Sequence, residues 1–175
     1  MKFIIFCTLI SSQIFCQKIV WKEDLKLEWS NFKSESNLMN NSDVAAYANC
    51  GWEYSAVISS EKDRPVLIKI EAIFMENKSW KDVKKISKNS LLHEQKHFDI
   101  AELFARKLRK ETSERIISSA DFIEYFHKIY NKISKQYKDY QSTYDKDTKN
   151  GNDKLKQQEY DYIITNELER LKDYK

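Results

Sequence analysis

Two glycines and one proline in 175 residues leave the chain few places to turn sharply. A Gly/Pro-rich linker, a collagen-like repeat and a low-complexity tail are all excluded. No apolar run reaches the ~20 residues that a membrane-spanning helix needs. Charge of one sign is also missing: 30 basic residues face 27 acidic ones, for a net charge of +3. A dedicated nucleic-acid binder would show a one-signed stripe, so no nucleic-acid partner is expected. Histidine is scarce, with three residues, and cysteine equally so. Cys7 and Cys16 fall in an N-terminal leader, which leaves Cys50 alone and no intramolecular disulfide. Cys50 therefore reads as a small buried hydrophobe.

The leader is the run from Met1 to Cys16, with Lys2 ahead of Phe3, Ile4, Ile5 and Phe6 and polar residues after it. This is the layout of a secretory signal peptide, too short for a transmembrane segment. It implies an exported protein, periplasmic or extracellular, whose mature chain starts at Gln17. Cys16 raises the question of a lipid anchor. Phe15 before it is far bulkier than the small residue such processing requires, so a lipid anchor is disfavoured.

The remaining residues, 17–175, read as one domain. A 41% hydrophobic and 13% aromatic composition supplies a core. The first half is strand-like. Ile19–Trp21 and Leu25–Trp29 alternate apolar with polar, and residues 34–43 form a polar loop. Val44–Ser59 reads as a strand with a break near Gly51, and Val66–Met75 as another, with a turn at residues 61–65 making an antiparallel hairpin. From Ser87 the period becomes helical. Helices are expected over residues 89–111, 120–140 and 154–172, with a turn at Lys149-Asn150-Gly151-Asn152. Strands first and helices after predict an α+β fold: a small N-terminal antiparallel sheet packed on a C-terminal helical part.

The chemistry concentrates in the first of these helices. Leu91-Leu92-His93-Glu94-Gln95-Lys96-His97-Phe98-Asp99 contains His-Glu-x-x-His. One helical turn separates His93 from His97, so both imidazoles can reach one metal ion. Zn²⁺ is the expected cofactor, since it favours nitrogen ligands. Glu94 is displaced by about 100° and suits a general base acting on water. The apolar side of the helix, with Ile100, Phe104 and Leu108, is also the histidine side. Gln95, Asp99, Glu102 and Arg106 fall on or near the opposite side and read as solvent-facing, with Glu102 and Arg106 pairing at i, i+4.

These residues resemble the predicted secreted zinc-dependent proteases of bacteria, a family built on a domain of unknown function. Leu27-Glu28-Trp29-Ser30-Asn31-Phe32 is similar to its opening Leu-x-Trp-x-x-Phe, and Ser79-Trp80 to its Ser-Trp. The stretch from Leu91 to Glu102, continued by Ala105-Arg106-Lys107-Leu108-Arg109, is close to its central motif. Tyr144-Asp145-Lys146-Asp147-Thr148-Lys149-Asn150-Gly151 resembles its Tyr-Asp-x-x-Thr-x-His-Gly. The resemblance implies a zincin-like fold, bound zinc, and a peptide or protein substrate.

One position departs from that pattern: Asn150 stands where the family has histidine. The third ligand must then come from elsewhere. Asp145 is favoured because it keeps the Tyr-Asp pair, with Asp147 and His127 as alternatives. Tyr144 reads as a core or rim tyrosine, or as a hydrogen-bond donor to an oxyanion. A non-catalytic zinc-binding envelope protein or a helical adaptor is the competing reading. Three protein ligands and a cleft favour a peptidase; four ligands without a cleft favour a structural site. N-terminal sequencing of the exported protein should read Gln-Lys-Ile-Val-Trp, with Gln17 first; an N-terminus at Met1, or an acylated Cys16, overturns this assignment of the leader.

Overall fold

The computed structural model describes residues 17–35 and 44–175. The leader and most of the predicted polar loop lie outside these residues. Among the described residues five strands precede three α-helices: β1 (Lys18–Val20), β2 (Ala46–Tyr47), β3 (Cys50–Val57), β4 (Leu67–Met75), β5 (Trp80–Lys81), then α1 (Lys88–Arg115), α2 (Ser119–Thr148) and α3 (Lys154–Arg170). The expected α+β class is what the structure has. None of the described helices is long and apolar enough to cross a membrane.

The main sheet is antiparallel, in the order β1-β4-β3. Alternation in β4 puts Ile70, Ala72 and Phe74 on one buried face. That face packs on α1, where Phe74 meets Phe98 at 5.9 Å between ring centroids. The β3–β4 hairpin forms as expected, with Val57 opposite Leu67. The break expected near Gly51 falls at Ala48-Asn49, and Gly51 itself sits inside β3. The reason is a change of hydrogen-bond partner. The Ala48 N–H donates to Glu94 Oε2 (2.8 Å) and the Asn49 N–H to Ser79 Oγ (2.9 Å), so neither joins a ladder there. The short β2 pairs with β5 instead.

Residues 25–29 are not the strand that their alternation predicts. They run as irregular chain into a 3₁₀ turn at Trp29–Asn31. Leu27 and Phe32 plug into the core, and the Leu27 N–H donates to Gln95 Oε1 at 2.7 Å. Tertiary contact has replaced strand pairing.

Helix starts follow their caps. Ser87 accepts from the Ser90 N–H (3.0 Å), Ser118 from Asp121 (3.2 Å) and Asp153 from Lys156 (3.2 Å), each cap contributing about 1 kcal/mol. The second helix runs eight residues beyond its expected end at Tyr140, which carries Tyr144 and Asp145 onto its last turns. On the second and third helices Ile123 and Ile163 are exposed, while Phe126, Ile129, Ile133 and Ile164 are buried.

The larger correction concerns α1. Its supposed solvent side is covered: Gln95, Asp99, Glu102 and Arg106 are each 6% exposed or less. Residues 21–29 lie across one part of this side, and Trp21 Nε1 donates to Asp99 Oδ1 at 3.0 Å. Glu102 does pair with Arg106, as expected, but in a buried network. Its Oε1 accepts from Arg106 Nε (2.8 Å) and Arg109 Nη1 (2.9 Å), and its Oε2 from Arg109 Nη2 (3.2 Å). The two guanidinium groups also donate to the Leu168, Ile70 and Tyr174 carbonyls, tying the C-terminal residues to α1. Removing the one anion leaves two partly desolvated cations. Glu102→Ala should therefore lower unfolding stability by about 3–5 kcal/mol in chemical denaturation; a loss below about 1 kcal/mol would show that the network is solvated.

Candidate metal centre

One helical turn places His93 and His97 side by side on α1, with ring centroids 4.7 Å apart and planes at 86°. The last turns of α2 bring Asp145 to both. His93 Nε2 lies 3.2 Å and His97 Nε2 2.9 Å from Asp145 Oδ1, and the two Nε2 atoms are 3.1 Å apart. Donors about 2.0–2.2 Å from one Zn²⁺ in a tetrahedral shell stand about 3.3–3.5 Å from one another. The three atoms stand a few tenths of an ångström closer together than the face of such a shell, so the residues would fit the ion with little movement.

The other two sequence candidates are elsewhere. Asp147 accepts a hydrogen bond from Tyr160 Oη at 2.7 Å. His127 is exposed and lies 18 residues before Asp145 on the same helix, about 27 Å along its axis.

The outer ring nitrogens account for the orientation of the inner ones. His97 Nδ1 is 2.6 Å from Gln141 Oε1, an amide oxygen that only accepts, so Nδ1 carries the proton. The Gln141 amide is itself oriented, because its Nε2 donates to the His97 carbonyl (3.2 Å) and to Tyr137 Oη (2.9 Å). Neutral His97 then presents a bare lone pair at Nε2. An ionised carboxylate facing that lone pair at 2.9 Å demands a positive charge between them, either a proton or a metal ion.

Glu94 is 3% exposed and points to the β-sheet side, where the Ala48 N–H holds its Oε2. Burial raises its pKa and outweighs the opposing pull of His97 and His93. Burial also works against charge on Asp145 and His97. At Asp145 the hydrogen bonds and charge that His93 and His97 supply in their protonated form win, and the carboxyl is held well below the usual range. At His97 the Asp145 hydrogen bond and the nearby Glu94 charge win, and the imidazole is held above its usual value.

A cavity of about 440 Å³ opens over these groups. Ala46, Tyr47, Ala48 and Cys50 form one wall; Tyr137, Gln141 and Asn150 belong to the other. Cys50 is half-buried at this wall rather than sealed in the core. Tyr144 does not reach the cavity. It is fully buried and stacked on the His93 ring (4.7 Å, 14°), with its hydroxyl donating to Gln157 Oε1 at 2.8 Å. It is therefore a packing residue, not an oxyanion donor.

The turn after α2 is fitted to His93 as well. Lys149, Asn150 and Gly151 all take positive φ (51°, 54° and 80°). A Cβ at Gly151 would stand 2.8 Å from His93 Cβ, so only glycine allows the turn to close on the histidine. The sequence shows this turn by its Asn-Gly pair. Gln141 shares a helical face with Asp145, four residues on, but nothing local marks it, and nothing marks Gln157 on α3.

Residues 75–152 match the family model described as a bacterial protein of unknown function, DUF922. The matched segment holds His93, Glu94, His97, Gln141 and Asp145, and ends one residue past Gly151. It excludes β1 to β3 and α3. No curated protein and no solved structure matches the chain.

The charge pattern has a pH signature in the metal-free protein. The contribution of Asp145 is complete above its unfolded pKa, about 3.9, and is lost as pH falls through the lower folded value. That of His97 is complete below its unfolded pKa, about 6.5, and is lost as pH rises through the raised folded value. The Tm difference between the metal-free protein and its Asp145→Asn variant should thus be largest between about pH 4 and pH 6.5 and shrink above that window. A difference that grows towards pH 9 contradicts the pairing.

Proposed function

We propose that the protein is an exported zinc-dependent metallopeptidase. The observation that carries this reading is the convergence of three electron-pair donors, 2.9–3.2 Å apart, beside a buried carboxylate at an open cavity. Two imidazoles and one carboxylate suit Zn²⁺, and three protein ligands leave a coordination position open, as catalytic sites require. The cavity and the three-donor set favour catalysis over a closed four-ligand structural site. The apolar leader over residues 1–16 supports export.

When bound at His93, His97 and Asp145, zinc supplies Lewis-acid chemistry, lowering the pKa of water to about 7 and polarising a carbonyl. The rest falls to the chain's own groups. Glu94 takes a proton from the attacking water and passes it to the leaving amine nitrogen as the C–N bond breaks. Its raised pKa makes it a better proton acceptor than a solvated carboxylate. The Ala48 N–H fixes one carboxylate oxygen, so the group enters the reaction already oriented. The β-sheet wall, with Ala46, Tyr47, Ala48 and Cys50, carries no charged side chain, which suits an uncharged peptide backbone.

The test separates metal from chemistry. Purified without chelator, the mature protein should hold one zinc per chain, lost in both His93→Ala and Asp145→Ala. Glu94→Gln should keep the zinc and lose about 10²–10⁴-fold in hydrolysis of an unfolded protein substrate. Absence of zinc in the wild type defeats the metallopeptidase reading. Stoichiometric zinc without hydrolysis of any peptide library leaves a zinc-binding envelope protein.

A further inference from the structure

Both site histidines have a glutamine at the outer nitrogen, but the two glutamines differ in origin. Gln141 stands on α2 beside Asp145, within the segment that matches the bacterial family. Gln157 stands on α3, outside it. Gln157 is 7% exposed, and its Oε1 lies 3.2 Å from His93 Nδ1. We propose that Gln157 is a positioning residue for His93: its Oε1 accepts the Nδ1 proton and so turns an unprotonated Nε2 toward His97 and Asp145.

Three contacts carry this assignment. Tyr144 Oη lies 2.8 Å from the same Oε1, and an amide oxygen accepts from both neighbours at once. The Tyr144 ring stacks on His93 and fixes the plane in which the imidazole sits. Thr148 Oγ1 also lies near Nδ1, but at 3.5 Å it is distant, and its proton goes to the Tyr144 carbonyl at 2.7 Å. The partner at each histidine is therefore a neutral amide. A carboxylate in either place would add a third negative group to a site that already holds Glu94 and Asp145. Gln157 thus orients the imidazole without adding charge, and α3 completes a site whose donors all come from α1 and α2.

The tautomer is measurable without metal. Long-range ¹H–¹⁵N NMR of the metal-free mature protein, at a pH where both rings are neutral, should show Nδ1–H at His93 and at His97. A His93 ring protonated at Nε2 in the wild type overturns the proposal outright, whatever any variant does. Gln157→Met, which has the same length and no acceptor oxygen, should release His93 from the Nδ1–H form and leave His97 unchanged. Gln157→Glu, which keeps the acceptor, should retain it. An unaltered His93 tautomer in Gln157→Met also overturns the proposal.

The second readout rests on the metal-site reading above. In competition with a chromophoric chelator, Gln157→Met should bind Zn²⁺ about 10–100-fold more weakly, and Gln157→Glu should recover most of the loss. If the wild type binds no zinc while the tautomers come out as expected, the metal reading fails and the positioning role stands. If zinc binds with equal strength in wild type and Gln157→Met, the positioning role fails alone.

Discussion

An ionised carboxylate and an imidazole lone pair face each other at 2.9 Å, and much of the fold serves to keep them there. Left to themselves two electron-pair donors move apart; here each is tied from behind. Gln141 holds His97, Tyr144 and Gln157 hold His93, and the α2 backbone holds Asp145. The structure has two ways to relieve the repulsion. One is a proton shared between His97 and Asp145, which raises the imidazole's pKa and joins the His93 hydrogen bond in lowering the carboxyl's. The other, in the proposed reading, is a divalent ion, which would have to displace that proton to bind, so its affinity would depend on pH.

Holding three donors in place requires the helices that carry them to be held as well. The polar side of α1 is given over to this. Asp99 takes Trp21 and Lys96, Gln95 takes the Leu27 amide, and Glu102 gathers two arginines that reach the last residues of the chain. Buried ion networks of this kind contribute little net stability, because desolvation offsets attraction. They do specify geometry. Register along α1 is fixed from both sides, by hydrophobic contacts to the sheet and by charge on the reverse.

The sequence made the site more legible than its surroundings. His-Glu-x-x-His is local, and helical geometry alone places its two imidazoles together. Asp145 was reachable because the Tyr-Asp pair suggested it, although 48 residues separate it from His97. What stayed hidden was non-local. No periodicity could show that residues 21–29 cover the back of α1, since Asp99 meets Trp21 from far away in sequence, and the arginines on Glu102 meet the distant Ile70, Leu168 and Tyr174 carbonyls. The alternation in Leu25–Trp29 pointed to a strand, yet the Leu27 amide found a glutamine side chain instead of a neighbouring strand. Gln157 is a plain glutamine in a polar stretch of α3, and only its position against Tyr144 gives it a role.

Asn150 has a different meaning once the turn is seen. The resemblance expects histidine at this position, and its absence suggests a missing ligand. In the structure the position has positive φ, a conformation asparagine tolerates better than most residues, and it lies at the rim of the cavity. Asp145, more than one turn earlier on α2, already contacts both histidines, so the three-donor set is complete without it. The exchange of a neutral imidazole for a carboxylate would still alter the chemistry. A divalent ion held by two histidines and Asp145 keeps one net positive charge where three histidines would leave two. The ion would be a milder Lewis acid, and more of the work of activating water would pass to Glu94. In the proposed reaction, a carboxylate whose pKa burial has raised is suited to that share.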